Sequence, residues 1–564
     1  MRNKILLGVL AVGSLSLAAC DDFLTSENTY QANQETFFDS EEAVEAAIYP
    51  LYNYVWANFN EKFYYGIGDG RANNLTARWS DYIYPYTNFT ETSLSPGLEA
   101  AWGSFYSVVA QANYALVNIR DKATGISDDF RRQAIAECRF MRGLAYWYLG
   151  SLWGKAIVYE NTAEQIGNSV VPAHKRVDVI EFAIRDLEFA AKWLPKTEPG
   201  AGRVTRYSAM GLLSRVYLSM AGLTTEGRYD GGNEATDFNR GTRNPYYLEL
   251  ARKAALKVAT EGPYEMLDNY GDLFAVATTN NNSESVFQLQ WLAGATSAIG
   301  AGCANPMPAF FSWSTMVGET NWGNATYASY DLVRTYDPKD RIRRHATIAT
   351  VGEFYPHLNT KNGGYTYNET ETGYAGKCNI VKWVIGKLED NGQSYQQSSG
   401  LNTYMMRLPE VYLNLAEAIL GNDDKTKDAT ALLYFNKVRS RAGMPEVASI
   451  DYDAIHYERR IELAGEGQYW YDLLRRSYYR QSEVVNYVNN QDRNAGYEWD
   501  ETEKCQYAKT GDGTGVAVAD ESRLLMPVSD VDAGRNHYLN EAPVAFYTAE
   551  TLAQREVDEE TLFD

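Results

Sequence analysis

RRQAIAECRFMRGLAYWYLGSL, residues 131–152, is the stretch that decides the fold. Alanine, tyrosine and leucine occupy packing positions at helical spacing through it, so it forms a helix. The same period runs through residues 102–119, 177–194, 207–220 and 247–259. Gly, Pro and Asp breaks separate these pieces. From about residue 99 to 260 the chain therefore reads as consecutive helical hairpins.

Their lengths and packing residues resemble the architecture of tetratricopeptide repeats, although no repeat of about 34 residues matches cleanly. Upstream, Ser40-Glu41-Glu42 places an N-cap and two acids before Val44, Ala47, Ile48 and Leu51, which predicts a first helix. Between them, residues 66–97 fit no period: Gly66, Gly68 and Gly70, then Asn73-Asn74, Trp79, Tyr82, Tyr84, Pro85 and Tyr86. Long irregular segments are uncommon unless they bind something or are disordered, and the aromatic density argues against disorder.

Downstream, residues 271–400 form a second irregular block. Within it, Phe287, Leu289 and Trp291 alternate with Gln288 and Gln290, which predicts a half-buried strand over 285–292. Residues 380–385 are a second strand candidate. Helices return at Arg407, where Pro409 falls in a first turn that needs no amide from it. Another helix stops at Gly443-Met444-Pro445, and a third, from about Asp453, runs to Gly465-Glu466-Gly467. The expected fold is mainly α: helical hairpins form a scaffold, and a loop-rich face carries a few short strands.

The N-terminus gives a location. Arg2 and Lys4 precede an apolar run from Ile5 to Leu17, shorter than the roughly 20 residues a membrane span needs but suited to a secretory signal. The run closes on Leu17-Ala18-Ala19-Cys20, which resembles the lipobox of bacterial lipoproteins. Residues 1–19 are then a signal peptide, and Cys20 is lipidated and becomes the new N-terminus. Residues 20–564 are expected to form one domain, with an N-terminal helical part to about 270, a loop-rich insert to about 400 and a C-terminal helical part.

The chain has 564 residues and a formal charge of −21. That balance argues against nucleic acid, which rewards clustered Lys and Arg. Cys138, Cys303, Cys378 and Cys505 have no metal-ligand or C-x-x-C spacing and read as buried thiols. The five histidines form no metal motif, and no nucleophile elbow or phosphate loop is present. No catalytic residue, metal or cofactor is expected. Glu410 with Glu417, and Glu458, Glu462 and Glu466, share helix faces at spacings of seven and four. A glycosidase needs two such carboxylates, but Arg439, Arg441, Arg459 and Arg475 lie in the same helical block, so ion pairing is the expected use of these acids.

The informative excess is aromatic: 43 Tyr, 20 Phe and 12 Trp. Such side chains suit stacking on sugars and also protein interfaces. Trp102, Trp147, Trp153, Trp193 and Trp470 lie in periodic helices and are expected in the core. Trp79, Trp291, Trp313 and Trp322 lie in or beside the irregular blocks. With Tyr82 and Tyr327 they are candidates for an arc of stacking faces, and Asp69, Arg71 and Asn321 for hydrogen bonds to sugar hydroxyls.

Several ordered motifs resemble the SusD/RagB family of outer-membrane nutrient-binding lipoproteins of Bacteroidetes. They are Cys20-Asp21-Asp22-Phe23-Leu24, residues 139–148 with Trp153-Gly154, residues 209–218, Arg407-Leu408-Pro409-Glu410 through Ala418, residues 438–443, Glu458 through Leu463 with Glu466-Gly467 and Asp472-Leu473, and residues 525–528. The resemblance covers nearly the whole mature chain. Departures are Pro409 for a usual Ala, Gly465 for an aromatic, Tyr469 for Arg, and Leu474. The resemblance implies a glycan-binding lid on a SusC-like TonB-dependent outer-membrane transporter, held at the cell surface by lipid on Cys20, to which it passes oligo- or polysaccharide. The rival functions are a lipid-anchored glycoside hydrolase and a lid that binds peptides.

Overall fold

The structure, a computed structural model, describes residues 37–563 apart from 78, 79, 81, 163–166, 295–301, 320, 321, 323–325, 369–377, 494–496, 501–504 and 509–518. Cys20 and the signal segment lie outside the described residues. Helix α1, Glu41–Ile48, starts where Ser40 accepts the amide of Ala43 at 3.3 Å, and Val44, Ala47 and Ile48 are buried. Short turns lead to α2, Ala57–Lys62.

The five predicted long helices follow as α3, Leu98–Asp121, α4, Asp128–Trp153, α5, Arg176–Trp193, α6, Arg206–Leu223, and α7, Pro245–Glu261. Each packs on the next, as consecutive hairpins should. Local chemistry sets their ends: Ser127 caps α4, which stops at Gly154 in the left-handed region (φ 68°), and Thr205 with Ser208 forms a capping box on α6. Gly143 and Gly150, seven apart on one face of α4, let α5 approach closely. A β-carbon on Gly143 would sit 3.1 Å from the Ala183 carbonyl, and one on Gly150 3.0 Å from the Ile180 side chain.

One expectation fails on this scaffold. Trp193 is 37% exposed rather than buried, because it is the last residue of α5; Arg132 and Lys192 cover its ring at 5.0 and 5.3 Å.

Strand β1, Ser285–Leu289, pairs antiparallel with β2, Thr403–Arg407. Every residue of β1 is buried, so the expected half-exposed alternation does not hold. Gln288 is satisfied inside, giving its amide to the Thr279 carbonyl at 2.9 Å and accepting the Asn281 amide at 2.7 Å. Residues 380–385 form no strand; Ile380 makes only an isolated bridge to Ile348. Arg407 ends β2 and opens α8, Leu408–Leu420, with Pro409 in the first turn. Then come α9, Ala429–Arg441, α10, Tyr452–Glu462, α11, Tyr469–Ser477, and α12, Gln481–Asn489. Helix α8 packs on α6, α7, α9 and α10 and so continues the array.

The acids on α8 and α10 are consumed by ion pairs, as their arginine neighbours predicted. Arg215 holds Glu410 through two bonds of 2.7 Å, and Arg243 and Arg475 hold Glu417. Arg343 and Arg439 hold Glu458. Glu462 meets Arg343, Arg407 and Arg441, and Glu466 meets Arg407 and Lys382. All these carboxylates are buried. The network crosses from β2 to α9, α10 and the 340–382 segment, so it staples the loop-rich block to the helices. Cys138 and Cys378 are buried, while Cys303 is half-buried.

Candidate functional site

The first irregular segment is largely structural. Gly66–Arg71 forms a buried π-turn. A β-carbon on Gly68 would come within 2.4 Å of the Gly467 backbone, so only glycine lets these two chains touch. At that contact the Asp69 carboxylate accepts the amides of Gly465 and Gly467 and the Asn74 side chain. Burial pushes the Asp69 carboxyl up to about 6 against those bonds. The Gly465 carbonyl takes the Trp383 indole N–H at 2.6 Å. Arg71 is equally enclosed: it pairs with Glu91 at 3.0 Å and lies over Phe89 and Trp470. Asp69 and Arg71 therefore do not reach a surface ligand. They are corrections to the sequence expectation, and their job is to lock the glycine-rich turn to the α10–α11 connection.

Two aromatic candidates are also interior. Trp291 is buried and gives its indole N–H to Thr403 Oγ1 at 2.9 Å. Tyr327 is buried in a two-residue strand paired with Leu75–Thr76. Both serve packing rather than display. Trp79 and Asn321 lie outside the described residues.

What reaches the rim is narrower: Tyr82, Trp313 and Trp322 are half-buried. The Lys62 ammonium, at the end of α2, stands 5.4 Å from the Tyr82 ring centre. Trp322 meets Phe310 edge to face at 4.8 Å and donates its backbone N–H to the Ala309 carbonyl at 3.1 Å. Phe310 in turn meets Tyr65, 5.6 Å away, one residue before the glycine-rich turn. A backbone contact links that turn to Tyr82, since a β-carbon on Gly66 would lie 3.1 Å from the Tyr82 carbonyl. Trp322 thus rests on an aromatic underlayer of Phe310 and Tyr65, while the Tyr82 ring lies beside Gly97, where a β-carbon would be 3.3 Å from it. Trp313 sits between two one-turn helices, Pro308–Phe311 and Ser314–Val317.

Lys62 and Phe310 escaped the sequence reading. The aromatic run from Tyr49 to Tyr65 was the available signal for the first of them.

A cavity of about 600 Å³ lies elsewhere, between α3, α4, α5 and the C-terminal segment. Its arginines are already spent: Arg139 and Arg142 hold Asp186, Arg185 caps the Leu552 and Gln554 carbonyls, and Arg555 holds Glu188. The cavity is a seam of the scaffold, and the aromatic rim is the stronger candidate. Among the described residues no His, Cys, Asp and Glu cluster could hold a metal ion, and no helix is long and apolar enough to cross a membrane.

Fold and rim together define a helical-hairpin scaffold protein that carries an aromatic, loop-built face. Comparison with known proteins places that class. Residues 268–544 match the SusD family, and residues 22–218 match a family described as "Starch-binding associating with outer membrane". A SusD-like protein of Bacteroides ovatus is 35% identical over 97% of this chain and 98% of its own. The starch-binding protein SusD of Bacteroides thetaiotaomicron is 24% identical over 77% of this chain and 76% of its own. A crystal structure described as being with xylogluco-oligosaccharide superposes with TM-score 0.79 at 33% identity, covering 90% of this chain and 99% of that one. The chain belongs to the SusD family.

Proposed function

We propose that this chain is a cell-surface glycan-binding lipoprotein. In this reading residues 1–19 are removed, Cys20 carries lipid in the outer membrane, and residues 20–564 act as one domain. The domain captures oligo- or polysaccharide and passes it to a SusC-like TonB-dependent transporter. Tyr82, Trp313 and Trp322 form the capture face, with Trp79 and Asn321, outside the described residues, as further candidates from the sequence. One observation carries the reading: Tyr82 and Trp322 stand half-buried in the two loop-built blocks, Trp322 edge-on against Phe310 and Tyr82 with the Lys62 ammonium beside its ring. Flat ring faces beside polar groups suit the apolar faces and hydroxyl edges of sugars. The relative described with xylogluco-oligosaccharide supports the ligand class.

Binding without bond chemistry fits the acids. A glycosidase keeps one carboxyl protonated opposite a second, whereas here burial would raise Glu462 but Arg441, Arg407 and Arg343 hold it at about 2. The test is affinity electrophoresis of the soluble chain, started after Cys20, through gels containing xyloglucan, laminarin or starch. Retention in at least one gel is expected, and W79A/W322A should weaken it at least tenfold, about 1.4 kcal/mol. Unchanged retention of the double variant would remove the stacking face from the proposal.

A further inference from the structure

A cleft of about 250 Å³ opens beside α2, lined by its Asn58 and Glu61. Tyr54, 58% exposed, stands at its mouth. The ring is carried on a rigid turn: Tyr52 donates its hydroxyl to Glu137 at 2.8 Å, and the Trp56 indole N–H bonds the Leu51 carbonyl at 2.8 Å. Tyr54 is thus the outward apex between two anchored, buried aromatics. Gly302, at φ 65°, passes directly against the ring; a β-carbon there would lie 2.5 Å from Tyr54 Cδ2. Asn58, Glu61 and Ser107 supply polar atoms along the walls, and small or rigid residues such as Pro306 complete the lining. Ser107 already donates to the Gly103 carbonyl at 2.8 Å, which leaves its oxygen free to accept.

We propose that this cleft is a second carbohydrate subsite: one neutral sugar ring of a branched chain stacks on Tyr54 while Asn58, Glu61 and Ser107 bond its hydroxyls. The assignment rests on the glycan-binding reading above and extends it. Three features select the ligand class. The volume admits a single ring, the one exposed aromatic offers a flat face, and no Lys or Arg lines the cleft. Glu61 faces it with a carboxylate, which repels uronic or sulfated sugars. Burial raises the Glu61 carboxyl, and Lys62 at 3.7 Å partly offsets this. The same Lys62 ammonium stands 5.4 Å from the Tyr82 ring centre. In this proposal the glycan backbone lies on the Tyr82 and Trp322 face and a side branch enters the cleft.

The test compares two probes by isothermal titration: a branched xyloglucan oligosaccharide and an unbranched cello-oligosaccharide of the same backbone length. Y54A should weaken the branched probe about tenfold and the unbranched probe less than twofold. G302A, which displaces the ring without removing it, should move affinity in the same direction. W322A should weaken both probes. If Y54A and G302A bind both probes as wild type does, or weaken both equally, the subsite is wrong while the glycan reading stands. If wild-type protein binds neither probe and no gel retains it, the glycan reading falls and the subsite with it. Far-ultraviolet circular dichroism of each variant separates lost binding from lost fold.

Discussion

Replacing Glu462 by Gln tests whether the α10 acids are structural. Glu462 lies at the end of α10, buried, with Arg407 Nη1 at 3.0 Å and Arg343 Nη1 at 3.2 Å, and Arg441 on the same carboxylate. Burial opposes its charge, but the three guanidiniums outweigh it and hold the carboxyl at about 2, below its ordinary 4.5. A drop of that size corresponds to roughly 3 kcal/mol of stability. Gln keeps the shape and removes the charge, leaving three buried cations short of a partner, a loss of about 3 to 5 kcal/mol in comparable buried pairs. The folded value is the lower one, so the stabilisation is complete above pH 4.5 and fades as pH falls through 2. Urea unfolding should put the variant about 3 kcal/mol below wild type at pH 7, and the gap should narrow by pH 3. A gap under 1 kcal/mol at pH 7, or one that does not narrow in acid, would refute the argument. So would a variant that keeps its stability but loses a sugar-releasing activity found in the wild type, the signature of a catalytic carboxylate.

Two further outcomes follow from other buried groups. Glu188 on α5 faces Arg555, Glu559, Glu181 and Tyr217, and burial pushes its carboxyl up to about 7. Its folded value is the higher one, so the native state holds the proton more tightly and the group's contribution falls as pH rises from 4.5 to 7. Relative to wild type, E188Q should gain up to about 3 kcal/mol across that interval in urea melts; a gap that stays constant would contradict the assignment. Gly68→Ala should destabilise by at least about 1 to 3 kcal/mol, because the new methyl meets the Gly467 backbone rather than a movable side chain. Gly103→Ala, in α3 with nothing within 4 Å, should instead stabilise by about 0.5 to 1 kcal/mol. Thermal melts that rank these two variants the other way would overturn the packing argument.

The helices were legible because their determinants are local. Ser40 caps where its spacing says it should, Pro409 sits in a first turn, and the five apolar periods become α3 to α7. The ion pairs of α8 and α10 were legible in part: Arg475, Arg439 and Arg441 on neighbouring helices meet Glu417, Glu458 and Glu462, whereas Arg215, Arg243 and Arg343 come from outside that helical block. Errors fall where a partner distant in sequence decides the outcome. Trp291 is interior because Thr403 and Asn402 accept or complete its polar groups from 112 and 111 residues away. Residues 285–289 lack a solvent face because Tyr52 and Phe140 pack on Phe287 while Thr279 and Asn281 cover Gln288. Asp69 read as a loop acid, yet its partners are the amides of Gly465 and Gly467, almost 400 residues on.

The same distinction bears on the proposed binding face. Loop aromatics in this chain divide into those that long-range contacts enclose and those left half-buried at the rim. Trp291 and Trp322 look alike in sequence, each beside amide side chains in an irregular block. The first is pinned by a strand pair and loses access; the second rests edge-on against Phe310 and keeps part of its surface. Rings held this way enter a complex already ordered, so binding costs little side-chain entropy. Tyr54 obeys the same rule, fixed between Tyr52 and Trp56 with its own ring outward. Stacking on such rings requires a ligand whose shape matches positions set by the helical scaffold. Selectivity between branched and unbranched glycans should therefore reside in the placement of two or three rigid rings relative to α2, more than in the number of hydrogen bonds around them.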